Sequence, residues 1–422
     1  MEPVTGTTTA ATPPRPWRHN PEIIDLGHPD VFVGGVRHDA FAVLRRDFPV
    51  YWNEEPEGWG PGFWNLTRHE DVVAVSRDPQ TFSSAQGINI TYHPSMDPKV
   101  INALIGGMIT MDPPAHNAYR KVALPFFTKS ALDRLEGRIR DVARAVVIAA
   151  AERGECDFMK DVAAPLPVAV LCEILGVPDE DHDKIFEWSN LLVGGIDPDL
   201  GVSQEKVIPI YLQLFAYGQR LIEDRRRAPR SDLMTAIANA RMENGEPIRE
   251  DLLNGFFLLM VIAGNETTRN SIAGGMEALI EHPDQHRRLR DDSSLLPTAV
   301  EEILRWVSPV LYMRRTATRS TEIRGVPITE GDKVVMWYPA ANRDAEVFAD
   351  PDRFDVGRDP NPHLAFGIGQ HFCLGAQLAR LQLRVMFSEL LERLETVELT
   401  GPVRRIRTNF LGAIKSMPVR CG

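Results

Sequence analysis

The stretch Phe366-Gly367-Ile368-Gly369-Gln370-His371-Phe372-Cys373-Leu374-Gly375 decides how this chain of 422 residues is read. Its glycines let the backbone pass close to a flat ligand. An apolar pattern over about 374–394 predicts a final helix, so Cys373 lies where that helix begins, and a positive helix end favours a thiolate. A lone cysteine is more often plain buried structure. A nucleophile activated by His371 is a second reading. Neither accounts for the phenylalanine seven residues ahead of the cysteine, the flanking glycines, or Leu378-Ala379-Arg380 behind it.

Working outward, the pattern is mostly helical from about 132 to 296. Breaks are expected at Pro178, Pro209, Pro229, Pro247 and Pro283 and at the Asn244-Gly245 turn. The longest helix is expected over about 248–282. Residues 256–263 are all apolar, so this helix is buried on most sides, and it then turns polar at Asn265, Glu266, Thr267 and Thr268. Short strands are expected at 50–53 and 63–67, with a second β region over 321–328 and 333–337 around the Glu330-Gly331 turn. The run Arg225 to Arg227 reads as a solvated helix end. The expected fold is mainly α with small β-sheets: one large domain over 17–422 behind a disordered tail over 1–16.

Composition narrows the function. With 47 basic against 58 acidic residues the net charge is −11, a poor match to a phosphate backbone, so nucleic acid is excluded as the main partner. The longest apolar stretch, 162–172, is about half the ~20 residues a bilayer needs, so no membrane span is expected. The N-terminal residues lack the charged and apolar regions of a signal peptide, and the expected compartment is the cytoplasm. Cys156, Cys172, Cys373 and Cys421 include no C-x-x-C pair, which removes zinc ribbons and thioredoxin-like motifs.

Phe366 to Gly375 (F-x-x-G-x-x-x-C-x-G), Glu302 to Arg305 (E-x-x-R) and Ala263 to Thr268 (A-G-x-E-T-T), in this order and spacing, resemble the cytochrome P-450 family in its soluble bacterial form. The resemblance covers nearly the whole chain and implies the cytochrome P-450 fold with haem b as cofactor. Cys373 is then the axial thiolate ligand of the haem iron, and a thiolate pushes electron density to the metal. Phe366, Gly367 and Gly375 belong to the haem loop. An acid beside a hydroxyl in so apolar a helix is costly unless used, although a mid-helix Thr also commonly bonds back to a carbonyl. The resemblance gives Thr267 the positioning of oxygen and water and Glu266 a proton relay, with Ala263 and Gly264 leaving room over the haem.

His116 and Arg120, four apart, share one helix face, a pairing more often merely solvated. The resemblance puts both on the haem propionates, with Arg315 and His371 as further contacts. Arg314 beside Arg315 leaves that register open by one residue. It also implies a buried scaffold triad of Glu302, Arg305 and Arg353.

The function implied is that of a haem-thiolate monooxygenase, an oxidoreductase hydroxylating an unactivated C–H bond of a lipophilic small molecule with O2. The apolar segments 88–109 and 191–196 match variable loops over the haem, with Gly106-Gly107 and Gly194-Gly195 as hinges, and no fixed cation there calls for a carboxylate substrate. The polar tract 263–271 looks like that of bacterial members acting on sterol side chains, branched lipids, alkanes and terpenoids. The chain has no four-cysteine iron–sulfur set and no G-x-G-x-x-G strand-to-helix turn, so electrons are expected from a separate ferredoxin and NAD(P)H-dependent ferredoxin reductase. The rivals are a peroxide-driven variant, a non-catalytic haem-based binder or sensor, and a Cys–His hydrolase. The Glu266-Thr267 pair argues against the first two.

Overall fold

The computed structural model describes residues 25–55, 60–90, 107–193, 197, 204–242 and 245–422. Its helices are α1 (His38–Asp47), α2 (His69–Arg77), α3 (Ala115–Ala123), α4 (Lys129–Arg153), α5 (Pro165–Leu175), α6 (His182–Val193), α7 (Gln204–Arg227), α8 (Leu233–Asn239), α9 (Glu250–Glu281), α10 (Pro283–Asp291), α11 (Leu296–Val307), α12 (Tyr338–Ala341) and α13 (Ala376–Arg393). Strands β1 (Val50–Asn53), β2 (Phe63–Leu66), β3 (Phe82–Ser83), β5 (Tyr312–Ala317) and β8 (Lys333–Trp337) form a sheet in the order β1-β2-β8-β5-β3. β4 (Glu155–Asp157), β12 (Pro418–Cys421) and β9 (Val397–Leu399) form a second sheet. Two-stranded pieces are β6 (Thr321–Ile323) with β7 (Val326–Ile328), and β10 (Arg404–Arg405) with β11 (Ile414–Ser416).

The 32-residue α9 runs about 48 Å through the helical layer, packing on α5, α6, α7, α11 and α13. Its core face is continuous: Leu253, Phe257, Val261, Ile272 and Leu279 are fully buried. α13 packs along α4, which carries the Cys373 loop into the same core. The five-stranded sheet packs into two further cores, one around Trp64 and one around Trp337 and Tyr312. There the indole of Trp337 donates to Asn65 Oδ1 at 2.6 Å, so the aromatic area is buried without a stranded N–H.

Several expectations change. The β region over 321–328 is a tight hairpin, because Arg324 (φ 51) and Gly325 (φ 78) both take the left-handed conformation that a two-residue turn needs. The strand Tyr312–Ala317 was not expected and is an inner strand of the sheet, between β8 and the edge strand β3. Pro209 does not end a helix but sits within the second turn of α7, near the end where backbone N–H groups lack intrahelical partners. Arg225 is 1% exposed rather than solvated. Its Nε donates to Asp232 at 2.5 Å, and its guanidinium also reaches Asp224 and the Gly176 carbonyl. All four cysteines are free. The expected tail over 1–16, residues 91–106 of the first variable loop and Gly194-Gly195 lie outside the described residues. Gly107 is described, and it is no free hinge: a Cβ there would stand 2.9 Å from the Gly255 carbonyl oxygen of α9, so the glycine permits a close crossing.

Candidate active site

The loop before α13 is shaped by its glycines. Gly367 (φ +65) and Gly369 (φ +75) are left-handed, and a Cβ on Gly369 would stand 2.4 Å from the Ser76 carbonyl oxygen. The loop closes on itself where Cys373 N–H donates to the Phe366 carbonyl at 2.9 Å. Cys373 then sits just before the first turn of α13, half-buried rather than sealed in. Burial pushes its thiol up, opposed by the Gly375 N–H and by the charges of Arg120 and Arg380. A metal ion at the sulfur adds the charge that settles this balance for the thiolate.

Phe366 is clamped from behind. Arg380 lies over its ring at 4.6 Å and is bidentate to Glu301, at 2.7 and 2.8 Å. His363 Nε2 is 3.1 Å from the same carboxylate, and its Nδ1 accepts the Ala365 N–H at 3.2 Å.

His116 and Arg120 of α3, Arg315 of β5 and His371 of the glycine loop come together from three elements. The His116 and His371 rings lie 4.2 Å apart, and the charges of Arg120 and Arg315 bear on both. Strand alternation sends Arg314 and Arg315 in opposite directions. Arg314 turns to the Asn89 carbonyl (3.3 Å) and Thr316 Oγ1 (3.0 Å), whereas Arg315 faces the histidines. Arg315 is 5% exposed and bonds to the Arg314 carbonyl at 2.8 Å, with no ion pair to a described carboxylate. Burial lowers its pKa and that of Arg120, which likewise has no described ion pair. The nearby carboxylate, Asp112, is taken by the Ser83 hydroxyl and the Ser84 N–H. Burying cations without counter-ions is costly. A ligand bearing carboxylates beside a flat ring fits this cluster, and haem, with its propionates, is such a ligand.

On α9, Met260, Ala263, Gly264 and Thr267, with Ile262 beside them, are exposed or half-buried in the middle of a mostly buried helix. Their i, i+3, i+4, i+7 spacing marks one face open to interior space. Thr267 donates its hydroxyl to the Ala263 carbonyl at 2.8 Å, leaving its oxygen lone pairs for an incoming donor. Glu266 is off that face, 1% exposed, with an Arg269 nitrogen at 2.5 Å; burial pushes its carboxyl up against the pull of Arg269. The expected acid–hydroxyl pair is therefore adjacent in sequence but divided in space. Among the described residues no hydrogen bond or ion pair joins this α9 set to the Cys373 loop.

The scaffold triad needs a correction. Glu302 and Arg305 do form a buried bidentate pair at 2.7 and 2.8 Å. The third side chain is Arg358, whose Nε is 3.2 and 3.1 Å from the two Glu302 oxygens. Arg353 is exposed and contributes its backbone carbonyl, 3.2 Å from Arg305. Sequence reasoning missed Arg358 because both arginines sit in the same Pro- and Asp-rich loop. It missed Glu301 because a single acid beside the E-x-x-R pair gives no signal of its own.

The chain matches the model of the cytochrome P450 family over residues 170–416. It is 41% identical over 429 residues to the methyl-branched lipid omega-hydroxylase of Mycobacterium tuberculosis, with 98% of each chain covered. It is 42% identical over 400 residues to the linalool 8-monooxygenase of Pseudomonas putida, covering 94% of this chain and 98% of that one. Among solved structures, a Mycobacterium marinum cytochrome P450 in complex with pseudoionone superposes with a TM-score of 0.86 at 36% identity, covering 91% of this chain and 94% of that one.

Proposed function

The chain belongs to the cytochrome P450 family, and from that premise we propose that it hydroxylates an unactivated C–H bond of a lipophilic small molecule: a terpenoid, a sterol side chain, or a fatty or alkyl chain. It is a haem-thiolate monooxygenase and thus an oxidoreductase. Bound haem supplies the iron at which dioxygen is reduced and one oxygen atom is passed to the substrate. Cys373, just before α13, would hold the iron. His116, Arg120, Arg315 and His371 would hold the propionates. Phe366, held by Arg380, shields the sulfur. Ala263 and Gly264 leave space beside the ring, Thr267 orients water and oxygen there, and Glu266 passes protons after leaving Arg269.

The observation that carries the reading is the cation Arg315, buried without an ion pair to a described carboxylate, beside the histidine that shares a loop with Cys373. The lipophilic class is supported by the substrates named for the two relatives and by the open α9 face, which is Met260, Ala263, Gly264 and Thr267 with no charge. Electrons come from a separate ferredoxin and its NAD(P)H-dependent reductase, in the cytoplasm. No helix among the described residues is long and apolar enough to cross a membrane.

The test offers linalool and a methyl-branched fatty acid to the purified haem protein with ferredoxin, reductase and NADH. A spin-state shift of the haem and a hydroxylated product from either class are expected. Tight binding of such compounds with an efficiently reduced haem and no product from any of them would instead make the protein a haem-based binder or sensor.

A further inference from the structure

One turn of α9 is held from outside by two buried amides. Asn270 uses both ends of its side chain: Nδ2 donates to the Glu266 carbonyl at 2.7 Å, and Oδ1 accepts the Ile414 N–H of β11 at 2.7 Å. Asn265 uses one. Its Nδ2 donates to Ser189 Oγ on α6 at 2.7 Å, and Ser189 in turn donates to the Phe186 carbonyl at 2.9 Å. Asn265 is 1% exposed and Ser189 is fully buried, yet among the described residues Asn265 Oδ1 has no hydrogen-bond partner.

A stranded buried acceptor is destabilising, and a leucine of similar size would fill the space without one. The bond is therefore poorly explained as a contribution to stability. Its location explains it better. Asn265 directly precedes Glu266 and lies two positions before Thr267. This part of the helix has three side chains bonded back to carbonyls: Thr267 to Ala263, Asn270 to Glu266 (2.7 Å) and Ser271 to Thr267 (2.9 Å). Such back-bonding bends and loosens a helix. A loosened turn keeps its rotational setting only if something outside it holds on.

We propose that Asn265 is a positioning residue for proton delivery, acting through its hydrogen bond to Ser189, which fixes the rotation of the turn that carries Glu266 and Thr267. This rests on the reading of that pair given above. With the bond in place, the Thr267 hydroxyl points to the open face and the Glu266 carboxylate stays at a fixed distance from it. Without it, only the Asn270 bond to Ile414 holds the turn from outside, the Thr267 hydroxyl and the Glu266 carboxylate lose their fixed setting, and misdirected proton delivery would divert electrons to hydrogen peroxide.

The experiment uses the full-length haem protein, reduced by a ferredoxin and reductase chosen because they reduce its haem. Without added substrate, the fraction of NADH electrons recovered as hydrogen peroxide is measured. Asn265→Leu and Ser189→Ala are each expected to raise that fraction at least threefold, with the reduced carbon monoxide spectrum unchanged in both and the melting temperature unchanged in Asn265→Leu. The double variant should match the larger single effect, because only one bond is lost, and Ser189→Thr, which keeps the hydroxyl, should restore the wild-type value. If Asn265→Leu does not fold, Ser189→Ala removes the same bond by deleting one atom. A wild-type peroxide fraction in the single variants, or additive effects in the double variant, overturns the proposal. Thr267→Ala separates the two levels: if it too leaves the fraction unchanged, the reading of the Glu266-Thr267 pair has failed rather than the role of Asn265.

Discussion

Arg314 and Arg315 are identical side chains one residue apart, and the alternation of a strand gives them different work. Arg314 is spent on the Asn89 carbonyl and Thr316, inside the protein, while Arg315 forms no ion pair with a carboxylate among the described residues. Arg315→Leu is therefore expected to fold but to lose haem on gel filtration, lowering the haem-to-protein ratio severalfold. Arg314→Leu should keep its haem and lose stability, since it strands the carbonyl of Asn89. Equal haem retention in the two variants would remove Arg315 from the propionate site. Thr267 and Glu266 show how far a motif reads at this scale. Their types and adjacency are in the sequence, but the turn of the helix between them, and the capture of Glu266 by Arg269, are not.

Two ion-pair assemblies brace the Cys373 loop from α11, through neighbouring residues of that helix. Glu302, with no exposed surface, takes Arg305 and Arg358, while Glu301 takes Arg380 and His363. Removing one partner of a buried charge costs far more than trimming an exposed one. Arg358→Ala is expected to lower unfolding free energy by about 2–4 kcal/mol, and Arg353→Ala by no more than about 0.5 kcal/mol; denaturant titration distinguishes them. For Glu301, burial raises the carboxyl, but the hydrogen bonds of His363 and Arg380 outweigh it and hold the pKa at about 2, against an ordinary 4.5. Its contribution is thus complete above pH 4.5 and lost as pH falls through about 2. Glu301→Gln should be less stable than the wild type at neutral pH, and the gap should close as acid is added; a gap that persists in acid would contradict the assignment. The long helix, the final helix and the E-x-x-R pair were legible because each repeats a local pattern. Arg358 and the strand Tyr312–Ala317 were not, because what fixes them is a partner distant in sequence: Glu302 for the one, Lys333–Trp337 for the other.

At the scale of the molecule, a buried helical layer and a separate sheet meet around one basic cluster and one half-open cysteine. The sheet brings Arg315, the helical layer brings His116, Arg120 and Thr267, and the glycine loop brings His371 and Cys373. Everything proposed for this chain depends on Cys373 being the ligand that this convergence presents. The most direct test is the absorption spectrum of the purified haem protein, reduced and exposed to carbon monoxide, for the wild type and for Cys373→Ala. The account predicts the red-shifted Soret band of thiolate ligation in the wild type and its loss in the variant. A wild type that takes up no haem, or a Cys373→Ala protein that keeps that band, would contradict it.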